Sequence, residues 1–122
     1  MVGDDAVLMY GILLIHMTQL MEKAIKDIVK KIVAEYQPEK IILFGSYAWG
    51  TPHEWSDVDL FIEKKSEKNI FERMRDVDRI LFGITTPVDA LVYTPQQTEQ
   101  RLRMGDPFLK KVFSLGKELY AK

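Results

Sequence analysis

Four apolar residues, Ile41-Ile42-Leu43-Phe44, run without a break into Gly45-Ser46, and ten residues then separate Ser46 from Asp57-Val58-Asp59. No other stretch of the chain constrains the fold so tightly. A short, wholly apolar run that ends at a turn signal is the pattern of a strand covered on both faces. From Asp57 to Glu63 the pattern alternates instead: Val58, Leu60 and Ile62 share one face, Asp57, Asp59 and Phe61 the other. A small sheet that contains these two strands is therefore expected to be backed by helical layers, with one sheet face left for a site.

The remaining segments supply those layers. From Thr18 to Tyr36 the apolar residues Met21, Ile25, Ile28, Ile32 and Tyr36 recur at helical spacing, with Thr18 as the expected N-cap and Pro38 as the stop. Residues 69–82 return to helical spacing through Ile70, Met74, Val77 and Leu81, and Gly83 closes that helix. Val88 to Tyr93 reads as a third strand, with Asp89, Leu91 and Tyr93 on one face. Pro95 starts a further helix, and a last one is expected over Pro107 to Tyr120, with Phe108, Val112, Leu115 and Leu119 as its stripe. The order predicts an α/β (α+β) fold: a small mixed sheet of three or more strands flanked by helices.

At 122 residues the chain is the size of one domain. We place that domain at residues 17–122 and read 1–16 as an appended extension, non-native or poorly ordered. Its apolar run, Ala6–Ile15, falls short of the roughly 18–20 residues a spanning helix needs, and Asp4 and Asp5 are the wrong start for a signal peptide. The absence of cysteine excludes disulfides and thiolate metal sites and fits a cytoplasmic protein. A net charge of −1 provides no positive field to gather nucleic acid. The basic strip of Arg101, Arg103, Lys110, Lys111, Lys117 and Lys122 reads as a solvated face.

The chemistry lies in the acids and the turn. Asp57 and Asp59 project from one face of a strand, and Asp89 sits in the next strand, where it can join them. Converging carboxylates repel one another unless a cation neutralises them. Their oxygens suit a hard ion such as Mg²⁺, which shares its coordination with water and substrate phosphates. Gly45 permits close backbone approach to a ligand. A short helix starting near Ser46 would turn its free N–H groups toward an anion, with the Ser46 hydroxyl beside them.

On Gly45, Ser46, Asp57 and Asp59, which fit Gly-Ser, ten residues, Asp-x-Asp without a gap, the chain resembles the minimal nucleotidyltransferases of the polymerase-β-like superfamily. Ser56 and Leu60 suit the extended form of that motif, and Asp89 fits the family's third acid. The resemblance implies a polymerase-β-like nucleotidyltransferase fold and an ATP substrate with its phosphates on Gly45 and Ser46. It implies Mg²⁺, two ions of it, on Asp57, Asp59 and Asp89, and a hydroxyl that attacks the α-phosphorus with help from Asp89. It further implies an antitoxin that transfers AMP to a HEPN-type toxin partner. A small-molecule adenylyltransferase of the aminoglycoside-modifying kind and a non-catalytic module acting by contact are the alternatives, and a homo-oligomer stays open. The chain departs from the family at Trp49, where a basic residue is common; Lys40, Lys64 and Lys65 are the candidate replacements for its charge.

The other candidates have weaker claims. Trp49 and Trp55 read as packing or loop anchors, His53 and Glu54 as solvated loop, and His16 has no role. Tyr47 and Tyr93 can each line a nucleotide pocket, and Tyr93 can equally cap the sheet.

Overall fold

The computed structural model describes residues 3–52 and 56–122, with side chains from Thr18 onward. Its four-stranded sheet has the order β3-β2-β1-β4, made of β1 (Lys40–Phe44), β2 (Val58–Glu63), β3 (Val88–Tyr93) and β4 (Lys117–Ala121). β1 runs antiparallel to both β2 and β4, while β2 and β3 are parallel and joined by the crossover helix α3 (Ile70–Ile80). The sheet is thus mixed, as the sequence predicts.

The alternation in β2 divides the core. Val58, Leu60 and Ile62 join Ile41 and Leu43 of β1 against Ile28 and Ile32 of α1 (Gly3–Tyr36) and Val77 of α3. On the opposite face Ile42 and Phe61 pack against Leu109 and Val112 of α5 (Pro107–Leu115). The preceding helix, α4 (Pro95–Arg103), starts with a complete capping box between Thr94 and Gln97. α3 is capped by the Asn69 side chain, which accepts from the Glu72 amide at 3.0 Å.

Two expectations are corrected. Thr18 is not an N-cap, because α1 is continuous from Gly3; between Asp4 and Met17 only Gly11 is a poor helix former, too weak a break to stop a helix. Among the described side chains, those of α1 that pack on the core lie within Met21 to Tyr36. The last helix does not reach Tyr120 but ends at Leu115, and the chain turns into β4. Gly116 makes the exit: a Cβ there would sit 2.6 Å from Ile42 Cγ2 and 3.0 Å from the Leu43 carbonyl oxygen. The helix buries Leu109 and Val112, whereas Leu115 is 55% exposed and Leu119 packs from the strand. Among the described residues no helix is long and apolar enough to cross a membrane.

Candidate functional site

β1 delivers the chain to Gly45, whose φ of 75° and ψ of −155° belong to a region open in practice to glycine alone. A four-residue helix, α2 (Ser46–Trp49), follows, its first turn closed by the Ala48 and Trp49 amides donating to the Gly45 carbonyl at 2.9 and 3.0 Å. On the neighbouring strand Asp59 stands opposite Phe44. Its side chain lies directly against the glycine: a Cβ at position 45 would collide with Asp59 Oδ2 and come within 3.0 Å of Asp59 Cγ. The turn and the carboxylate, fourteen positions apart in sequence, are thus in contact.

Asp89 is in register with Asp59 across the parallel β2–β3 pair, so their side chains leave the same sheet face. Asp57 stands one residue before β2, exposed to solvent. The strand start beside it is pinned by the Val58 amide on the Pro87 carbonyl at 2.9 Å, and by the Tyr47 hydroxyl on the Ser56 carbonyl at 3.5 Å. Burial, then the charge of Asp89, then that of Asp57 raise the Asp59 carboxyl above its usual range. Gly45, Asp59 and Asp89 are therefore brought together by contact and register, Ser46 by adjacency, and Asp57 through its charge.

The donor set fits a hard cation. The charges of Asp89 and Asp57 make ionisation of Asp59 more costly, and among the described residues no lysine or arginine pairs with any of the three. No group of three or more His, Asp or Glu side chains among the described residues forms a ready-made metal cluster. Asp57, Asp59 and Asp89 are thus an open, incomplete set of oxygen donors, of the kind that Mg²⁺ shares with water and substrate phosphates.

Other candidates fall elsewhere. Lys40, Lys64 and Lys65 cannot replace a cation at Trp49, because they lie at the opposite end of the sheet. Lys40 is in register with Glu63 and pairs with Glu118 at 3.5 Å. The Lys64 ammonium donates to the Gln37 carbonyl at 3.2 Å, and the Lys65 amide donates to Glu39. A cavity of about 530 Å³ opens at that same end, lined by Tyr36, Lys64, Asp76 and Arg79 among others, with none of the signature residues. Tyr93 caps the sheet, edge-on to Phe61 at 5.6 Å. Trp49 packs beside Phe44, ring centroids 6.2 Å apart, and the Lys111 ammonium lies 4.8 Å over its indole. That lysine was hidden in the basic strip, and no local sequence signal links position 111 to position 49. His53, Glu54 and Trp55, and the side chain of His16, lie outside the described residues.

A glycine turn thus touches one carboxylate, and a second stands in register beside it on a mixed sheet. The chain belongs to the nucleotidyltransferase domain family, whose model matches residues 23–119. It is 31% identical over 102 residues to a "putative protein adenylyltransferase" of Methanocaldococcus jannaschii, spanning 81% of this chain and 97% of that one. A crystal structure of a "putative nucleotidyltransferase" from Sulfolobus solfataricus superposes with a TM-score of 0.63 at 25% identity, covering 88% of this chain and 86% of that one.

Proposed function

We propose that the protein transfers AMP from ATP to a hydroxyl of a partner protein, as the antitoxin of a HEPN/MNT toxin–antitoxin pair. The observation that carries this reading is the contact between Gly45 and the Asp59 carboxylate, with Asp89 in register beside it. The triphosphate sits along Gly45 and Ser46, which places its α-phosphorus at the carboxylate row. The acceptor oxygen forms a bond to that phosphorus, the bond to the bridging oxygen breaks, and pyrophosphate leaves. Asp89, exposed at the mouth of the row, takes the proton of the hydroxyl. Asp57 and Asp59, with Asp89, would hold Mg²⁺, which when bound supplies charge neutralisation for the phosphates. Catalysis then comes from alignment and from fixed charges. The relative named as a protein adenylyltransferase supports a protein acceptor over a small molecule.

The test is incubation of the purified chain with α-labelled ATP, Mg²⁺ and the product of the neighbouring reading frame. Label on the partner that disappears with Asp57→Asn or Asp59→Asn supports the proposal. A stable complex that never acquires label refutes it and favours neutralisation by contact alone.

A further inference from the structure

The carboxylate end of the sheet poses an electrostatic problem for the proposed reaction. Asp57, Asp59 and Asp89 are all negative, and a nucleoside triphosphate adds several more negative charges directed past Gly45 toward α2. Several cations of the chain are committed elsewhere. Lys40 pairs with Glu118, Lys68 and Arg79 with Asp76, Arg101 with Asp106 and Arg103 with Glu99. Lys64 and Lys65 belong to the far end of the sheet.

Lys111 is placed differently. It comes from α5, on the sheet face that carries Asp59 and Asp89, and its ammonium rests 4.8 Å over the Trp49 ring. That ring closes α2 and packs against Phe44, which is itself in register with Asp59. Phe108, one turn earlier in α5, packs edge-on to Phe44 at 5.3 Å and fixes the approach of α5 to the turn. A carboxylate partner would neutralise a lysine, whereas an aromatic face holds the ammonium by cation–π attraction and leaves its charge and its N–H donors free. Among the described residues no carboxylate pairs with Lys111.

We propose that Lys111 is a phosphate-binding residue of this site, which takes the β- and γ-phosphates of the nucleoside triphosphate and the pyrophosphate after transfer. Trp49 is its positioning residue. The inference rests on the proposed nucleotidyl-transfer function and adds to it a residue, outside the signature, that selects triphosphate over monophosphate.

The experiment is calorimetric titration of the full chain with ATP, ADP, AMP and pyrophosphate in the presence of Mg²⁺. Both residues lie on the protein surface or its edge, so circular dichroism confirms that each variant remains folded. Lys111→Met is expected to weaken ATP and pyrophosphate roughly 10- to 100-fold, the range of one charge-assisted hydrogen bond, with AMP unchanged. Lys111→Arg should restore most of the loss. Trp49→Leu should reproduce part of it in the wild-type background and add nothing in the Lys111→Met background. Wild-type protein that binds ATP, with Lys111→Met binding it equally well, overturns this inference and leaves the proposed function standing. An equal loss for AMP and ATP also overturns it, because the residue is then merely structural. Wild-type protein that binds no ATP at all removes both proposals.

Discussion

Replacing Gly45 by alanine tests the contact on which the site depends. The perturbation has two parts, and the structure separates them. The backbone at φ 75°, ψ −155° is closed to residues with a Cβ, at a cost of about 1–3 kcal/mol. The new methyl also occupies the place of Asp59 Oδ2, so the carboxylate must retreat by on the order of 1 Å, a displacement that can cost roughly 100-fold in rate. In a domain of this size the backbone cost alone lowers Tm by roughly 3–15 °C.

The assay is a double-mutant cycle with Asp59→Ala, followed by thermal and urea unfolding. Truncating Asp59 removes the collision and leaves the backbone cost, so Gly45→Ala should be less damaging in the truncated background, with a coupling of about 1 kcal/mol or more. Effects that add to within about 0.5 kcal/mol would show that the glycine and the carboxylate do not touch. Gly45→Ala with wild-type Tm would show that the turn does not need its positive φ. Either result refutes the reasoning, and neither depends on which acceptor the protein modifies.

Two further predictions concern charge. The Asp59 carboxyl is raised by burial and by Asp89 and Asp57, so the folded protein binds its proton more tightly than the unfolded chain does. That contribution is complete below the ordinary carboxylate value of about 3.9 and is lost as pH climbs through the raised folded value. Asp59→Asn should therefore raise Tm by a small margin at neutral pH, with solvent screening limiting the gain, and the difference should vanish below about pH 4; an unchanged or lowered Tm at pH 7 would count against mutual repulsion at the site. Arg73 is 2% exposed and donates to the Val92 carbonyl at 3.1 Å, to Gln97 Oε1 at 2.7 Å and to the Lys68 carbonyl, joining α3, β3 and the start of α4. Arg73→Met should cost about 3–5 kcal/mol in urea unfolding, and Arg73→Lys no less, since one ammonium cannot span three diverging acceptors; a loss under about 1 kcal/mol would mean that the guanidinium carries no structure.

The parts of the fold that sequence reveals are those set by local pattern. β1, β2 and β3 and the helix over Ile70–Ile80 follow from apolar spacing, and Gly45, Asp57, Asp59 and Asp89 from their motif and alternation. The parts it hides are set by partners far along the chain. β4 escaped notice because Leu115 and Leu119 are four apart, which continues a helical stripe, while the edge strand that holds Leu119 is specified only by its pairing with β1. Arg73 carries no local signal of burial, since spacing assigns charged residues to solvent, yet three acceptors from separate elements make its burial tolerable. Lys111 carried no signal at all, since its relation to Trp49 exists only after α5 has packed on the sheet.

The register of the sheet connects stability to chemistry. Phe44, Asp59 and Asp89 form one row across β1, β2 and β3. A slip of β2 by one residue would turn Val58, Leu60 and Ile62, each fully buried, out of the layer beneath α1 and α3 and drive Asp59 into it. The apolar loss together with the cost of burying an unpaired carboxylate far exceeds anything the site can return. The carboxylate row is therefore positioned by residues that never touch a substrate. Asp59 and Asp89 can be held side by side at the rim because the apolar half of β2, packed beneath α1 and α3, allows no other register.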